Sequence, residues 1–221
     1  MDLGTPTFGG EVHPAYANPR DEVTVLVPAS AHRILDVGCS TGEMGVALKA
    51  LGHHVTGIEL DAELAAVAKP RLDGLVQADV EALAASGATV GSGAFDCVVF
   101  ADVLEHLRDP WSVVRWGAGL VAPGGSIVIS VPNVRHAKTF WTLLVRRRWP
   151  YDPVGIFDRT HLRFFARRNL PELVAGTGFE VVEVRRHHML TVRHTSRWNR
   201  LAGFLGDLGT LQFVFRAERP A

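Results

Sequence analysis

The chain has 221 residues, of which 47% are hydrophobic and 21% charged, and this predicts a single soluble globular domain over residues 1–221. No apolar run reaches 18 residues, and the N-terminus has no basic region followed by an apolar core, so neither a membrane span nor a signal peptide is expected. The formal net charge is zero, but residues 1–132 hold 7 basic and 16 acidic residues, whereas residues 133–221 hold 16 and 7.

Predicted strands and helices alternate between residues 30 and 132. Short apolar runs predict strands at residues 34–37, 54–59, 75–78, 95–100 and 126–131. Helical patterns follow at residues 44–51, 62–68, 80–85 and 111–121, the last of them with Pro110 at its start. This alternation indicates right-handed crossovers and an α/β fold with a parallel sheet and helices on both faces.

The alternation stops after residue 132. Residues 133–170 are rich in aromatic residues and arginine and include a predicted helix at 138–147. Because long excursions in compact domains are usually functional, we interpret residues 133–170 as a substrate cap. Residues 1–30, interrupted by Gly, Pro and Asn, are predicted to form an N-terminal lid. The remaining predicted elements are a helix at 169–175, a strand at 179–184, a helix or loop over 195–208 and a last strand at 211–215.

A tight turn directly follows the first predicted strand, in the segment Arg-Ile-Leu-Asp-Val-Gly-Cys-Ser-Thr-Gly at residues 33–42. Glycine serves such turns because it lacks a Cβ and tolerates positive φ. Glu59 ends the second strand at a spacing that suits a carboxylate bound to a ribose diol. Ser40 stands where a dinucleotide-binding loop needs its middle glycine. The loop therefore disfavours NAD and permits a nucleoside without phosphates.

Five segments resemble, in one order, the successive motifs of class I S-adenosylmethionine-dependent methyltransferases. They are residues 36–42, 57–61, 77–79, 95–106 and 120–125. The resemblance implies a Rossmann-like, doubly wound, mostly parallel seven-stranded sheet and S-adenosyl-L-methionine as the methyl donor. Small actinobacterial methyltransferases that modify sugars or polysaccharide precursors are the members that the chain resembles.

The resemblance also implies a set of cofactor-binding residues. Asp36 and the first loop would approach the amino acid part of the cofactor, Glu59 the ribose, and Asp79 with the Val80 amide the adenine. The full set is Asp36, Gly38, Cys39, Ser40, Thr41, Gly42, Glu59, Leu60, Asp79, Val80 and Ala101. Asp36 or Glu59 alone could instead cap a helix, but acids at four strand ends together weaken that alternative. Cys39 and Cys97, the only cysteines, are expected to be reduced thiols, which suits the cytoplasm.

Asp102, Glu105 and His106 form a second candidate centre. If a helix begins at residue 102, these side chains share one face and suit a divalent ion. Members of the family that methylate hydroxyls of quinone precursors bind magnesium at a similar cluster, so Mg²⁺ is a predicted ligand. The alternative is that Glu105 and His106 cap the helix or line the cofactor pocket.

His161 is the preferred general base for methylation of a hydroxyl group. A histidine titrates near neutral pH, and Asp158 is close enough in sequence to set its tautomer. His106 is the competing base, and a structural role for His161 in tying the cap to the sheet stays open. Residues 101–104 lack the Pro-Pro-Tyr/Phe loop typical of methyltransferases that act on amino groups.

The predicted function is therefore O-methylation of a sugar or polysaccharide precursor. The acceptor is expected to be a small molecule or an oligosaccharide, because the aromatic and arginine residues of the cap suit a polyhydroxylated ligand. The alternatives are a phenol, quinone or lipid acceptor, an RNA substrate, and a non-catalytic nucleoside-binding protein. Nucleic acid is not favoured, since no RNA-binding module is present. The basic half could also meet an anionic membrane surface or, in a homodimer, the acidic half of a second subunit.

Overall fold

The computed structural model describes residues 7–8, 11–12, 19–91, 93–187 and 206–220. Two short strands, β1 (Thr7–Phe8) and β2 (Glu11–Val12), pair antiparallel with each other. The main sheet contains β3 (Arg33–Val37), β4 (His54–Glu59), β5 (Gly74–Gln77), β6 (Phe95–Ala101), β7 (Val121–Pro132), β8 (Glu180–His187) and β9 (Gln212–Glu218). The helices are α1 (Asp21–Thr24), α2 (Glu43–Ala50), α3 (Ala62–Ala68), α4 (Val80–Ser86), α5 (Pro110–Gly119), α6 (Ala137–Leu144) and α7 (Leu170–Leu173).

The main sheet has seven strands in the order β5-β4-β3-β6-β7-β9-β8. Strands β3 to β7 run parallel, and β9 is antiparallel to both of its neighbours, β7 and β8. The predicted fold class, a doubly wound and mostly parallel seven-stranded sheet, is confirmed. The order reverses between β3 and β6, and ligands of open α/β sheets bind in the crevice at such a switch point.

The core lies on both faces of the sheet because neighbouring strand residues point to opposite sides. Ile34 packs with α1, α2 and α3, whereas Leu35 packs with α5 and α7. Both residues are fully buried, as are Val98 and Val99 on β6. Central strands covered on both faces read as continuous apolar runs, which is why the sequence predicted β3 and β6 closely.

Several element boundaries differ from the sequence-based prediction, and β8 and β9 each extend three residues beyond their predicted ends at 184 and 215. β7 begins at Val121 rather than at residue 126, because Val121 pairs with Phe95 and the chain then loops out of the ladder before pairing resumes at Ser126. α6 ends at Leu144 rather than at residue 147, and Arg147 adopts a left-handed φ of 52° that cannot continue a helix.

The part of the N-terminal segment that the structure describes is packed on the domain. Val23 and Leu26 are buried against the face that carries α2 and α3, and Arg20 reaches the carboxyl end of β6. Apart from β1 and β2, the earlier residues of the predicted lid lie outside the described part. The predicted helix or loop at 195–208 also lies outside it, except for a 3₁₀ turn at Gly206–Gly209.

The described helices are all too short or too polar to cross a bilayer.

Candidate functional site

The loop after β3 folds over the carboxyl end of β4. The amides of Gly38 and Cys39 both donate to the carbonyl of Ile58, at 2.8 and 3.0 Å. Gly38, Ser40 and Gly42 adopt left-handed φ angles of 72°, 52° and 81°. The predicted use of glycine for this backbone conformation is confirmed at residues 38 and 42, and the loop lies at the switch point of the sheet.

Space as well as conformation requires glycine at residue 38. A Cβ there would come within 3.0 Å of Val103 Cγ2, so the hydrogen of Gly38 faces a protein side chain. The loop therefore stays close to the turn that follows β6.

We expect Gly38→Ala to lower the free energy of unfolding by about 2–4 kcal/mol, since it adds overpacking to an unfavourable φ. Gly87→Ala is the matched control, because Gly87 has a φ of 65° and an added Cβ would meet no atom within 4 Å. It should cost about 1 kcal/mol. Urea unfolding measures both changes, and equal losses in the two variants would contradict the packing argument.

Asp36, next to the last residue of β3, is a buried carboxyl group without a hydrogen-bond partner in the described structure. The residue is 1% exposed, and neither Oδ1 nor Oδ2 is bonded. Burial and, to a smaller extent, the nearby carboxylate of Glu59 raise the pKa of Asp36 to about 7, against the opposing effect of Arg20. A buried acid in this state has the capacity to bind a cationic group of a ligand.

Glu59 is held beside Asp36 by backbone amides. Its Oε2 accepts from Ser40 N at 2.8 Å and its Oε1 from Asp61 N at 2.9 Å. Burial raises the pKa of Glu59, and these amides oppose that shift. Asp61, not Glu59, caps α3 by accepting from the amides of Glu63 and Leu64. The capping alternative therefore does not account for Glu59, whose carboxyl faces the first loop.

The other predicted cofactor residues surround this pair at the same edge of the sheet. Asp79 is exposed and caps α4 through the Glu81 amide, which satisfies one of its oxygens, and Val80 begins the helix. Leu60 is exposed next to Glu59, and Ala101 ends β6. Thr41 and Cys39 are buried, and Cys39 and Cys97 are free thiols, with burial raising the pKa of Cys39.

Asp102 lies apart from the predicted metal cluster because its side chain belongs to a polar network across the sheet. It pairs with Arg20 and accepts from the Ser130 hydroxyl and the Gln212 amide. Its φ of 55° is left-handed, and only a 3₁₀ turn, Leu104–His106, follows. Residues 102, 105 and 106 therefore do not share the single α-helical face that the sequence predicted. Sequence reasoning missed Arg20, which lies 82 residues from its partner.

His161 takes the place beside Glu105 and His106 that the sequence had given to Asp102. One potential ligand atom from each of these three residues lies within 4.8 Å of the others. The ring centroids of His106 and His161 are 4.8 Å apart, and His161 Nε2 lies 4.0 Å from Glu105 Oε1. The Glu105 carbonyl accepts from the amides of Leu162 and Arg163, which fixes the two segments together.

Burial sets the protonation states of this cluster. It raises the pKa of Glu105 well above its ordinary value, and the carboxylate of Asp102 adds to the shift. Burial lowers the pKa of both His106 and His161 below 6.5, with the neighbouring His106 lowering that of His161 further. The two imidazoles are therefore neutral at pH 7 and able to accept a proton.

Asp158 reaches His106 through Thr160 rather than contacting the His161 ring. The Thr160 hydroxyl donates to Asp158 Oδ1 at 2.6 Å and lies 3.0 Å from His106 Nδ1. Because the single hydroxyl proton points to Asp158, Nδ1 of His106 is the donor to Thr160 and its Nε2 keeps the lone pair. Thr160 was missed from the sequence, where the only signal is an Asp-x-Thr turn common in loops.

A cavity of about 470 Å³ opens beside His161, and we call it the acceptor cavity. Its lining residues all come from the predicted cap and are Val134, Trp149, Tyr151, Asp158, Arg159, His161 and Phe164. Trp149 stacks edge-on against Phe157 and Phe164, with ring centroids 4.8 and 5.4 Å apart. The cavity is thus mainly apolar and aromatic, with three polar lining residues, Asp158, Arg159 and His161.

Comparisons with known proteins agree with this geometry. A family described as "Methyltransferase domain" matches residues 12–184. The ubiquinone biosynthesis O-methyltransferase of Burkholderia thailandensis is 32% identical over 167 residues, which cover 72% of this chain and 71% of that protein. The protein of the same name from Xanthomonas campestris pv. campestris is 40% identical over 119 residues, covering 51% and 48%.

The fold is shared with solved methyltransferase structures. A SAM-dependent methyltransferase from Archaeoglobus fulgidus has a TM-score of 0.62 at 16% identity, and the match covers 86% of this chain and 87% of that chain.

Proposed function

This chain belongs to the methyltransferase domain family and is an S-adenosylmethionine-dependent methyltransferase, and we propose that it methylates a hydroxyl group of a phenol or quinone precursor. The observation that carries the proposal is the acceptor cavity, in which the neutral imidazole of His161 lies among aromatic side chains. The similar proteins named for ubiquinone biosynthesis support O-methylation.

The cofactor crevice fits S-adenosylmethionine in its charge and polarity. Asp36 offers two buried carboxyl oxygens without partners, which suit the α-ammonium group of a methionine tail. Glu59 keeps lone pairs on both oxygens beyond those used by Ser40 and Asp61, and these suit the ribose hydroxyls. The remaining predicted cofactor residues keep their assigned roles in this proposal.

Deprotonation of the acceptor is the chemical step that this chain must provide. When bound, S-adenosylmethionine supplies a methyl group on a positively charged sulfur, which an acceptor oxygen can attack directly. His161 takes the hydroxyl proton as the acceptor oxygen attacks the methyl group, since its lowered pKa keeps the ring neutral at pH 7. The imidazolium that forms then releases the proton to solvent. His106, fixed by Thr160 and Asp158, positions the His161 ring from 4.8 Å away.

The residues near His161 do not fit magnesium. Mg²⁺ requires oxygen ligands in octahedral geometry, whereas this cluster offers two imidazole nitrogens and one buried carboxyl group with a raised pKa. Asp102, the other predicted ligand, is paired with Arg20. The proposed proton transfer therefore uses side chains alone.

The lining of the cavity favours the phenol or quinone alternative over the sugar expected from the sequence. Val134, Trp149, Tyr151 and Phe164 supply apolar surface, and Arg159 is the only arginine among the described lining residues. A polyhydroxylated sugar would leave more hydroxyl groups without partners than a mostly apolar aromatic ring. The predicted cap, residues 133–170, thus serves as the acceptor-binding segment in this proposal.

Methyl transfer from labelled S-adenosylmethionine to panels of catechols, hydroxybenzoates, sugars and RNA tests the proposal. We expect product with catechols or related phenols. We expect Tyr151→Ala to raise the acceptor KM with little change in that of the cofactor, because Tyr151 lines the acceptor cavity and is not among the cofactor residues. Transfer restricted to sugars or RNA would defeat the choice of acceptor.

A further inference from the structure

Helix α6 exposes its large apolar side chains and buries its two threonines. Thr139 and Thr142 are each 3% exposed, whereas Trp141 is 58% and Leu144 73% exposed. The exposed apolar residues, which we call the α6 patch, are Phe140, Trp141, Leu143, Leu144 and Val145. Monomeric globular proteins rarely leave such a contiguous set in water, so the patch indicates a binding surface.

Positively charged residues flank the patch on both sides in the sequence, and no acidic residue lies near them in the chain. The sequence has no Asp or Glu between Asp109 and Asp152. Residues 133–151 carry five cations, Arg135, Lys138, Arg146, Arg147 and Arg148, all of them exposed. The ion pairs found among the described residues include none of these five side chains.

The helix also borders the acceptor cavity at both of its ends. Val134 precedes α6, Trp149 and Tyr151 follow it, and all three line the cavity. Left-handed φ angles at Arg147 and Tyr151 turn the chain from the helix back to the cavity. The segments directly before and after the patch therefore form part of the wall of the acceptor cavity.

We propose that the α6 patch lies on an anionic lipid surface. Trp, Phe and Leu side chains on one face of a short helix, with arginines beside them, have the composition of a helix that lies in the bilayer interface. Arg146, Arg147 and Arg148 would contact lipid phosphates, and the apolar side chains would enter the boundary between headgroups and acyl chains. If the proposed function holds, a lipid-soluble phenol would pass from the bilayer into the acceptor cavity. The lipid contact itself does not depend on that function.

Flotation of the full chain with vesicles tests the proposal without cofactor or acceptor. We expect the protein to float with vesicles of phosphatidylcholine and phosphatidylglycerol, to remain largely in solution with phosphatidylcholine alone, and to be released by high salt. The double variant Trp141→Ser, Leu144→Ser should reduce the bound fraction by about tenfold or more, since it removes the two most exposed apolar contacts.

Leu51→Ser is the matched control, because Leu51 is 68% exposed but lies at the end of α2. It should bind anionic vesicles like the unmodified protein. Equal binding by the double variant, or no binding to anionic vesicles at low salt, would overturn the proposal. A stable homodimer that the double variant dissociates would also overturn it, by assigning the patch to a second copy.

The assay separates this proposal from the proposed function. Vesicle binding together with failure to methylate any phenol would leave the lipid surface standing and remove the acceptor. If the protein methylates a water-soluble phenol but does not bind vesicles, the proposed function would stand and the lipid-surface proposal would fail.

Discussion

His161→Ala should lower kcat by about 10²–10⁴-fold, which is the range for losing a general base. The KM for S-adenosylmethionine should stay nearly constant, because the cofactor residues lie on other segments of the chain. Since the pKa of His161 is lowered, the unmodified enzyme should keep its full rate below pH 6.5 and lose it only as the pH falls through the lowered value. Steady-state rates across this pH range measure the acid limb, which should disappear in the variant.

Variants of the neighbouring residues make this result specific. Thr160→Val keeps both imidazoles but removes the hydroxyl that links Asp158 to His106, and we expect it to lower kcat by only about tenfold or less. His106→Ala should fall between the two. If His106→Ala abolishes turnover while His161→Ala retains it, then His106 is the base. In that case His161 only lines the cavity and does not accept the proton.

The sequence was most informative where burial leaves few options. β6, between two other parallel strands and covered on both faces, reads as an uninterrupted apolar run and was predicted to within one residue. The early part of β7 was missed because Gly124 and Gly125 resemble a turn, and the pairing of Val121 with Phe95 is set by tertiary contact. The glycine loop, Asp36 and Glu59 were placed correctly at one sheet edge because parallel strands end together.

The catalytic cluster was less predictable, because its members come together from distant segments. Glu105 and His161 lie 56 residues apart, and their meeting depends on the two backbone hydrogen bonds from residues 162 and 163 to the Glu105 carbonyl. Periodicity placed Asp102 in the cluster, but a left-handed residue at the end of β6 cannot be seen in the pattern of side chains. The aromatic residues of the cap also lie in three different environments, which their residue type does not distinguish. Phe157 is buried, Trp149 and Tyr151 line the cavity, and Phe140 and Trp141 are exposed.

Asp36→Asn should weaken binding of S-adenosylmethionine by about 10–100-fold at pH 8, the loss expected for one charge-assisted hydrogen bond. In the free protein the Asp36 pKa is about 7, whereas an ionised carboxylate is needed opposite an ammonium group. Binding must therefore release a proton below that pH, and the affinity of the unmodified protein should fall up to tenfold per pH unit as the pH drops below about 7. Calorimetric titration in buffers of different ionisation enthalpy measures both the affinity and the proton. Asp109→Asn is the control, since Asp109 is exposed, caps α5 and has no role in the proposed cofactor site. An unchanged affinity and pH dependence in Asp36→Asn would show that Asp36 does not contact the cofactor.

The same substitution should act on stability with the opposite sign. A folded-state pKa raised above the ordinary value of 3.8 means that the folded protein binds a proton more tightly than the unfolded chain, so Asp36 costs stability increasingly as the pH rises from about 4 to 7. Asparagine carries no charge at any of these pH values and removes that cost. Urea unfolding at pH 8 should therefore show Asp36→Asn more stable than the unmodified protein by about 1–3 kcal/mol in the absence of cofactor. If Asp36 serves to bind the ligand, Asp36→Asn should be more stable than the unmodified protein but bind the cofactor more weakly. If Asp36 only stabilised the loop, the substitution would lower both the stability and the affinity.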